Sequence, residues 1–226
     1  MGKQDMVALY ITHLNTTLST KDSMDKDTLI ALTAYVLLLL LAFILSIGLG
    51  YGAAESMHDP SSPLLYLRRV LMVIAAIALP WITRGQSPSA LGWTLSVKWI
   101  GISLAVGLFM GFSNPGGFNP KDPLAVLLAL FHTFATELFF RGYLFKTFER
   151  SRGGMWIPIL LSSFCYGLFY LTTWPIWSSP PLGKLAFVGL FTLVGIPFAY
   201  SYKKSGSFLV PWMMHFFGVL KYGMLF

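Results

Sequence analysis

Seven long apolar runs occupy most of this 226-residue chain, and they constrain its fold more than any other feature. A helix needs about 20 mostly apolar residues to cross ~30 Å of hydrocarbon, and the runs approach or exceed that length. They cover residues 28–50, 64–82, 96–112, 123–148, 155–173, 185–202 and 208–226. We therefore predict an all-α fold, a polytopic transmembrane helix bundle with about seven crossings.

The composition excludes an ordinary soluble domain. Hydrophobic residues make up 55% of the chain and charged residues only 11%, and the mean hydropathy is +0.67. A soluble domain needs a larger charged fraction to cover its surface. The single cysteine, Cys165, cannot form an intrachain disulfide, and packing within an apolar helix accounts for it.

The polar segments divide the chain and predict its orientation. We expect an amphipathic N-terminal segment at 1–27, N-terminal transmembrane helices at 28–122 and a C-terminal membrane domain at 123–226. Ten basic residues fall on one side of the membrane and three to five on the other. Because Lys and Arg favour the cytoplasmic side, this imbalance predicts a cytoplasmic N-terminus. It also accounts for the net charge of +7 without a nucleic-acid partner.

Glu137 is the only acidic residue inside the run 123–148, and it lies four residues before Arg141. A charge near the bilayer centre costs about 2.5 to 3.5 kcal/mol on insertion scales, so such carboxylates are rare and paired. Side chains at positions i and i+4 of a helix share one face. The spacing predicts an intramembrane ion pair, which is compatible with either a structural or a catalytic role.

Three segments of the C-terminal domain carry a more specific pattern. They cover residues 136–144, 162–170 and 206–219, and they align in order with the motifs Glu-Glu-x-x-x-Arg, Phe-x-x-x-His and His-x-x-x-Asn. From about residue 123 the chain resembles the CPBP family, membrane proteins that include type II CAAX prenyl endopeptidases and bacterial "protease self-immunity" proteins. The resemblance covers a little under half of the chain. It implies a helix bundle with CAAX-type intramembrane endopeptidase chemistry.

Several positions depart from the family pattern. The resemblance places the water-activating Glu at Thr136, the motif-two His at Tyr170 and the motif-three Asn at Val219. A threonine hydroxyl cannot replace a carboxylate base near neutral pH, and a tyrosine phenol titrates at about 10. Of the catalytic quartet only His215 matches the family. Glu137 and Arg141 also match, and the resemblance implies that they form a structural ion pair.

The membrane-embedded polar side chains offer few ligands for a metal ion. A catalytic zinc needs about three protein ligands, and the membrane-embedded candidates are Glu137, His215 and His132. His132 lies five residues before Glu137, so the two side chains point ~140° apart on an ideal helix. His132 shares a face with Thr136 instead, and a hydrogen bond between these two is one alternative to a satisfied buried histidine. We predict no cofactor, and zinc only if the protein is active.

Two hypotheses about function remain. The first is a non-catalytic binding, assembly or accessory factor, a pseudoprotease whose partners are the lipid bilayer and another membrane protein or a hydrophobic peptide. The second is an active intramembrane endopeptidase in which Glu137 acts as the base and His215 assists it. A small transporter or a pigment-binding subunit is a third class, but one intramembrane ion pair offers little polar lining for a solute pathway.

Overall fold

The computed structural model describes residues 26–44, 63–94, 97–112, 123–172 and 180–221. Most of the predicted amphipathic segment at 1–27 lies outside the described residues, as do the last five residues of the final run. Across the described ranges the regular structure is helical. This confirms the predicted all-α fold.

The described helices follow the predicted runs closely. The first four are α1 (Lys26–Ile44), α2 (Pro63–Arg84), α3 (Val97–Phe112) and α4 (Pro123–Glu137). The last four are α5 (Lys146–Arg152), α6 (Trp156–Phe169), α7 (Pro181–Ser205) and α8 (Leu209–Lys221). Single 3₁₀ turns at Pro88–Leu91 and Tyr170–Thr172 follow α2 and α6. Among the described helices, three are long and apolar enough to cross a membrane individually: Lys26–Ile44, Tyr66–Arg84 and Pro181–Ser205.

The run predicted at 123–148 is not one uniform α-helix. Between α4 and α5 the backbone adopts a π-helical segment, Leu138–Phe145, and all eight of its residues are buried. Its aromatic rings meet neighbours on several sides: Phe140 packs edge-to-face on Tyr166, and Phe145 on Tyr202. We attribute the wider π turn to this all-round packing, which the sequence pattern does not show. Such turns occur frequently at functional sites.

One end of the bundle carries a group of partly exposed charged side chains. Asp27 and Arg84 form an ion pair of 2.8 Å that links α1 to α2, and Glu149 pairs with Lys203 between α5 and α7. Arg150 Nη1 donates a hydrogen bond of 2.6 Å to Gln86 Oε1. These residues belong to the segments that carry the excess of Lys and Arg in the sequence. We refer to this end as the basic end.

Two glycines at the basic end position α8. Gly206 ends α7 with a left-handed φ of 68°, and its N–H donates to the Tyr202 carbonyl at 2.8 Å. Gly92 has a φ of 92°, and a Cβ there would lie 2.6 Å from the Gly206 carbonyl oxygen. The Phe208 N–H then donates to the Gly92 carbonyl at 3.0 Å. This close contact fixes where α8, which carries His215, begins.

Candidate functional site

Glu137 is the last residue of α4, and its carboxylate is completely buried. One oxygen, Oε1, accepts a hydrogen bond of 2.7 Å from Nδ1 of His215 in α8. The other, Oε2, lies 3.2 Å from Nε of Arg141 in the π segment. That contact has the distance of an ion pair but is not aligned as a hydrogen bond. Both carboxylate oxygens therefore have a partner.

Arg141 connects Glu137 to two further helices. Its Nη2 donates a hydrogen bond of 3.0 Å to the carbonyl oxygen of Gly195 in α7. The guanidinium carbon lies 4.7 Å from the ring centroid of Tyr166 in α6, within the range of a cation–π contact. The guanidinium is fully buried. Arg141 therefore binds the π segment, α6 and α7 together around one charge pair.

A chain of hydroxyl and imidazole groups continues from the carboxylate. The Nε2 atom of His215 lies 3.3 Å from the Tyr166 hydroxyl, which lies 3.0 Å from the Tyr170 hydroxyl. The Tyr170 ring stacks in parallel on Phe191, with centroids 3.9 Å apart. We name Glu137, Arg141, His215, Tyr166 and Tyr170 the central cluster. It joins all three sequence segments that resemble the family motifs.

Thr136 lies beside the central cluster and contacts a different cation. Arg69 in α2 donates a hydrogen bond of 2.9 Å from Nη1 to the Thr136 hydroxyl and one of 3.1 Å from Nε to Nδ1 of His132. The Thr136 hydroxyl itself donates to the His132 carbonyl oxygen at 2.8 Å. The two side chains are thus joined through Arg69, whereas the sequence suggested a direct hydrogen bond between them. A fully buried guanidinium therefore faces Thr136.

The structure brings together most of the residues singled out from the sequence. Glu137, Arg141, Tyr170 and His215 lie in the central cluster, and Thr136 and His132 lie at its edge, with the His132 and His215 ring centroids 6.4 Å apart. His215 also contacts Tyr166. Position 219 lies in α8, and its side chain is outside the described part of the structure.

Sequence reasoning did not identify Tyr166, Arg68 and Arg69 as site residues. The two arginines stand near the start of the apolar run 64–82. Their position could have indicated a site, because charged residues within a membrane-spanning run are rare and usually functional. Tyr166 precedes Tyr170 by four residues and therefore shares its helix face. Which of the two tyrosines reaches His215 depends on the distance between α6 and α8.

The donor set does not fit the zinc that the family resemblance implies. Among the described residues there is no group of three or more His, Cys, Asp or Glu side chains that could hold a metal ion. Glu137 and His215 bond to each other, and the nearby imidazole of His132 accepts from Arg69. Two possible ligands beside a buried guanidinium are fewer than the three that a catalytic zinc needs.

Comparison with known proteins agrees with the motif geometry. Residues 120–220, just under half of the chain, match the sequence model of the family described as type II CAAX prenyl endopeptidase Rce1-like. No curated protein and no solved structure matches the chain. The matched residues contain α4, the π segment, α5, α6, α7 and most of α8, together with every member of the central cluster. The C-terminal domain is therefore similar to the Rce1-like family of type II CAAX prenyl endopeptidases, and the chain is an integral membrane protein.

Proposed function

We propose that this chain is a non-catalytic member of its family, a membrane-embedded binding or accessory factor with a cytoplasmic N-terminus. Its partners would be another membrane protein or a hydrophobic peptide. The observation that carries the proposal is the contact between Arg69 and Thr136, 2.9 Å long and fully buried. At the family's base position the chain has a hydroxyl, and that hydroxyl is held by a cation.

The surroundings of Glu137 also support a structural role. A general base must be within reach of the water that it deprotonates. Here one carboxylate oxygen accepts from His215 at 2.7 Å and the other lies 3.2 Å from Arg141. Neither oxygen is therefore free to take a proton from a water molecule. Glu137 therefore acts as the electrostatic centre that joins α4, the π segment and α8.

A second candidate function rests on the contact between Glu137 and His215. A carboxylate that orients an imidazole is the usual arrangement of a general base in hydrolases. The free side of this imidazole faces the Tyr166 hydroxyl at 3.3 Å. This geometry would support an endopeptidase that uses Glu137 and His215. A peptide-cleavage assay distinguishes the two candidate functions.

The test measures cleavage of prenylated CAAX-type peptides by the purified protein in detergent, with an active family member as the positive control. We expect no cleavage above background, and no difference between the unmodified protein and Glu137→Gln. Loss of a general base alone typically reduces a rate by about 10² to 10⁴. Cleavage by the unmodified protein that Glu137→Gln abolishes would show that the chain is an active endopeptidase.

A restored variant provides the reciprocal test. It combines Thr136→Glu, Tyr170→His and Val219→Asn with Arg69→Met, because Arg69 would otherwise pair with the new carboxylate at position 136. The matched control keeps Arg69 and carries the other three substitutions. Cleavage by the fourfold variant, with less or none by the threefold control, would identify Arg69 as the group that blocks the base position.

A further inference from the structure

The charges at the basic end do not balance. Within the described ranges this end has two carboxylates, Asp27 and Glu149, and each already forms an ion pair, with Arg84 and with Lys203. Six more cations lie at the same end and form no ion pair with a described residue: Lys26, Lys98, Lys146, Arg150, Arg152 and Lys204. Residues 1–25 contain two lysines and three aspartates, so that segment can offset only one of these charges. The basic end therefore carries an uncompensated positive charge.

Two of these cations are held between helices by neutral partners. Arg150 in α5 donates a hydrogen bond of 2.6 Å to Oε1 of Gln86, which follows α2. The ammonium group of Lys146 lies 6.0 Å from the ring centroid of Tyr202, near the end of α7. An amide and an aromatic ring hold a cation in place but do not neutralise it. Both side chains are half-buried, so their positive charges are fixed at this end of the bundle.

Three more of the cations are exposed: Lys98, Arg152 and Lys204. Lys98 lies at the start of α3, four residues after Thr94, whose hydroxyl donates to the Gly206 carbonyl oxygen at 3.2 Å. That hydrogen bond places the start of α3 beside the end of α7, where Lys204 lies. The exposed cations therefore come from the adjoining ends of three helices, and all three can contact an anion outside the protein.

The basic end lies at the level of the lipid head groups. The apolar spans Tyr66–Arg84 and Pro181–Ser205 both end here, and a helix that crosses the hydrocarbon ends where the head groups begin. Trp81 and Trp156, which are 63% and 58% exposed, lie within four residues of basic side chains. Exposed tryptophans are enriched at the interface between membrane and water. The unpaired cations therefore meet phosphate groups rather than acyl chains.

We propose that the basic end binds anionic phospholipids in preference to zwitterionic ones, with the lipid phosphates contacting the six unpaired cations. Charge complementarity selects the lipid, because groups of Lys and Arg beside the cytoplasmic ends of transmembrane helices attract the anionic lipids of that leaflet. An acidic protein segment would also match the charge, but head groups surround this end wherever the chain spans a bilayer. The proposal goes beyond the proposed function, since lipid selection neither requires nor excludes peptide cleavage.

The test measures how strongly brominated lipids quench the tryptophan fluorescence of the purified full chain in phosphatidylcholine vesicles. Bromine atoms quench tryptophan at close range, and Trp81 and Trp156 are exposed beside the basic end. A small fraction of brominated phosphatidylglycerol should quench more than the same fraction of brominated phosphatidylcholine, with a preference of roughly fivefold for each contact between one lipid and one cation. Salt at about 1 M screens charges beyond ~3 Å and should reduce this preference.

Two results of that experiment would overturn the proposal. Equal quenching by the two brominated lipids at low salt would show no selection, and it would leave the basic end to an acidic protein segment. A preference that high salt does not reduce would show that charge is not its cause.

Variants locate the surface. Lys98→Gln, Arg152→Gln and Lys204→Gln, combined in one protein, remove three exposed charges that form no ion pair within the described ranges, so the melting temperature should stay unchanged. We expect the preference for phosphatidylglycerol to fall below about twofold. Lys204→Gln alone should lower it in part, whereas its matched control Lys184→Gln, near the opposite end of α7, should not change it. An undiminished preference in the threefold variant, or an equal loss with Lys184→Gln, would refute the assignment.

Discussion

Replacing either member of the Glu137 and Arg141 pair is expected to destabilise the protein far more than replacing both. Glu137→Leu leaves the Arg141 guanidinium buried with only the Gly195 carbonyl and the Tyr166 ring. Arg141→Met leaves the carboxylate with His215 alone. Breaking a buried pair costs about 3 to 5 kcal/mol, whereas exchanging both partners for apolar residues of similar size avoids an uncompensated charge. Each single variant should therefore melt on the order of 10 °C lower.

The matched control is the pair of Glu149 and Lys203 at the basic end. Their side chains are 27% and 31% exposed, so water already compensates each charge. Exposed pairs contribute about 0.2 to 1 kcal/mol, and Glu149→Leu or Lys203→Met should be nearly neutral. Melting of all the variants in one detergent gives the coupling energy of each pair. Equal losses for the two single variants and the double variant at the buried site would contradict a structural pair.

Gly167→Ala is expected to be the most disruptive single-methyl change in α6. A Cβ at Gly167 would overlap Thr192 Oγ1 and would lie 2.5 Å from the carbonyl oxygen of Val188. The second contact is with backbone, so no rotation of a side chain relieves it. Inserting a methyl group into such a contact costs about 1 to 3 kcal/mol or more. Small residues that let transmembrane helices approach closely are a common basis of their association.

Gly189→Ala is the control for this prediction. Gly189 lies in α7, and a Cβ there would have no atom within 4 Å. Alanine favours a helix over glycine by about 1 kcal/mol, so this variant should match or exceed the stability of the unmodified protein. Thr192→Ala should rescue Gly167→Ala only partly, because the Val188 oxygen stays in place. Full rescue, measured by melting in detergent, would show that the side chain rather than the backbone limits the approach of α6 and α7.

Much of the fold could be predicted because its determinants are local. Most described helices lie within a few residues of a predicted apolar run, and the three motif segments lie within the residues that match the family model. The π segment could not be predicted in this way, since its residues are as apolar as those of an α-helix in a membrane. Its wider turn depends on contacts with several other helices.

The site was less predictable because its decisive contact is long-range. The resemblance indicated Thr136 as the position of a carboxylate in the family, and the spacing of Glu137 and Arg141 indicated that they share a helix face. Nothing in the C-terminal domain indicated that Arg69, 67 residues earlier, would donate to Thr136. That contact depends on how α2 packs against α4. A charged residue at the edge of an apolar run gives little information until its depth in the bundle is known.

The complete burial of the π segment has a consequence for the kinetics of the protein. Surrounding helices shield all eight residues from lipid and water, so no ligand can reach Arg141 by diffusion along the outer surface. Exchange at the centre requires a neighbouring helix to move away first. The amide hydrogens of this segment should then exchange with deuterium only through large-scale opening, more slowly than those at the exposed helix ends. A partner that contacts Arg141 would therefore bind slowly and, once enclosed, dissociate slowly.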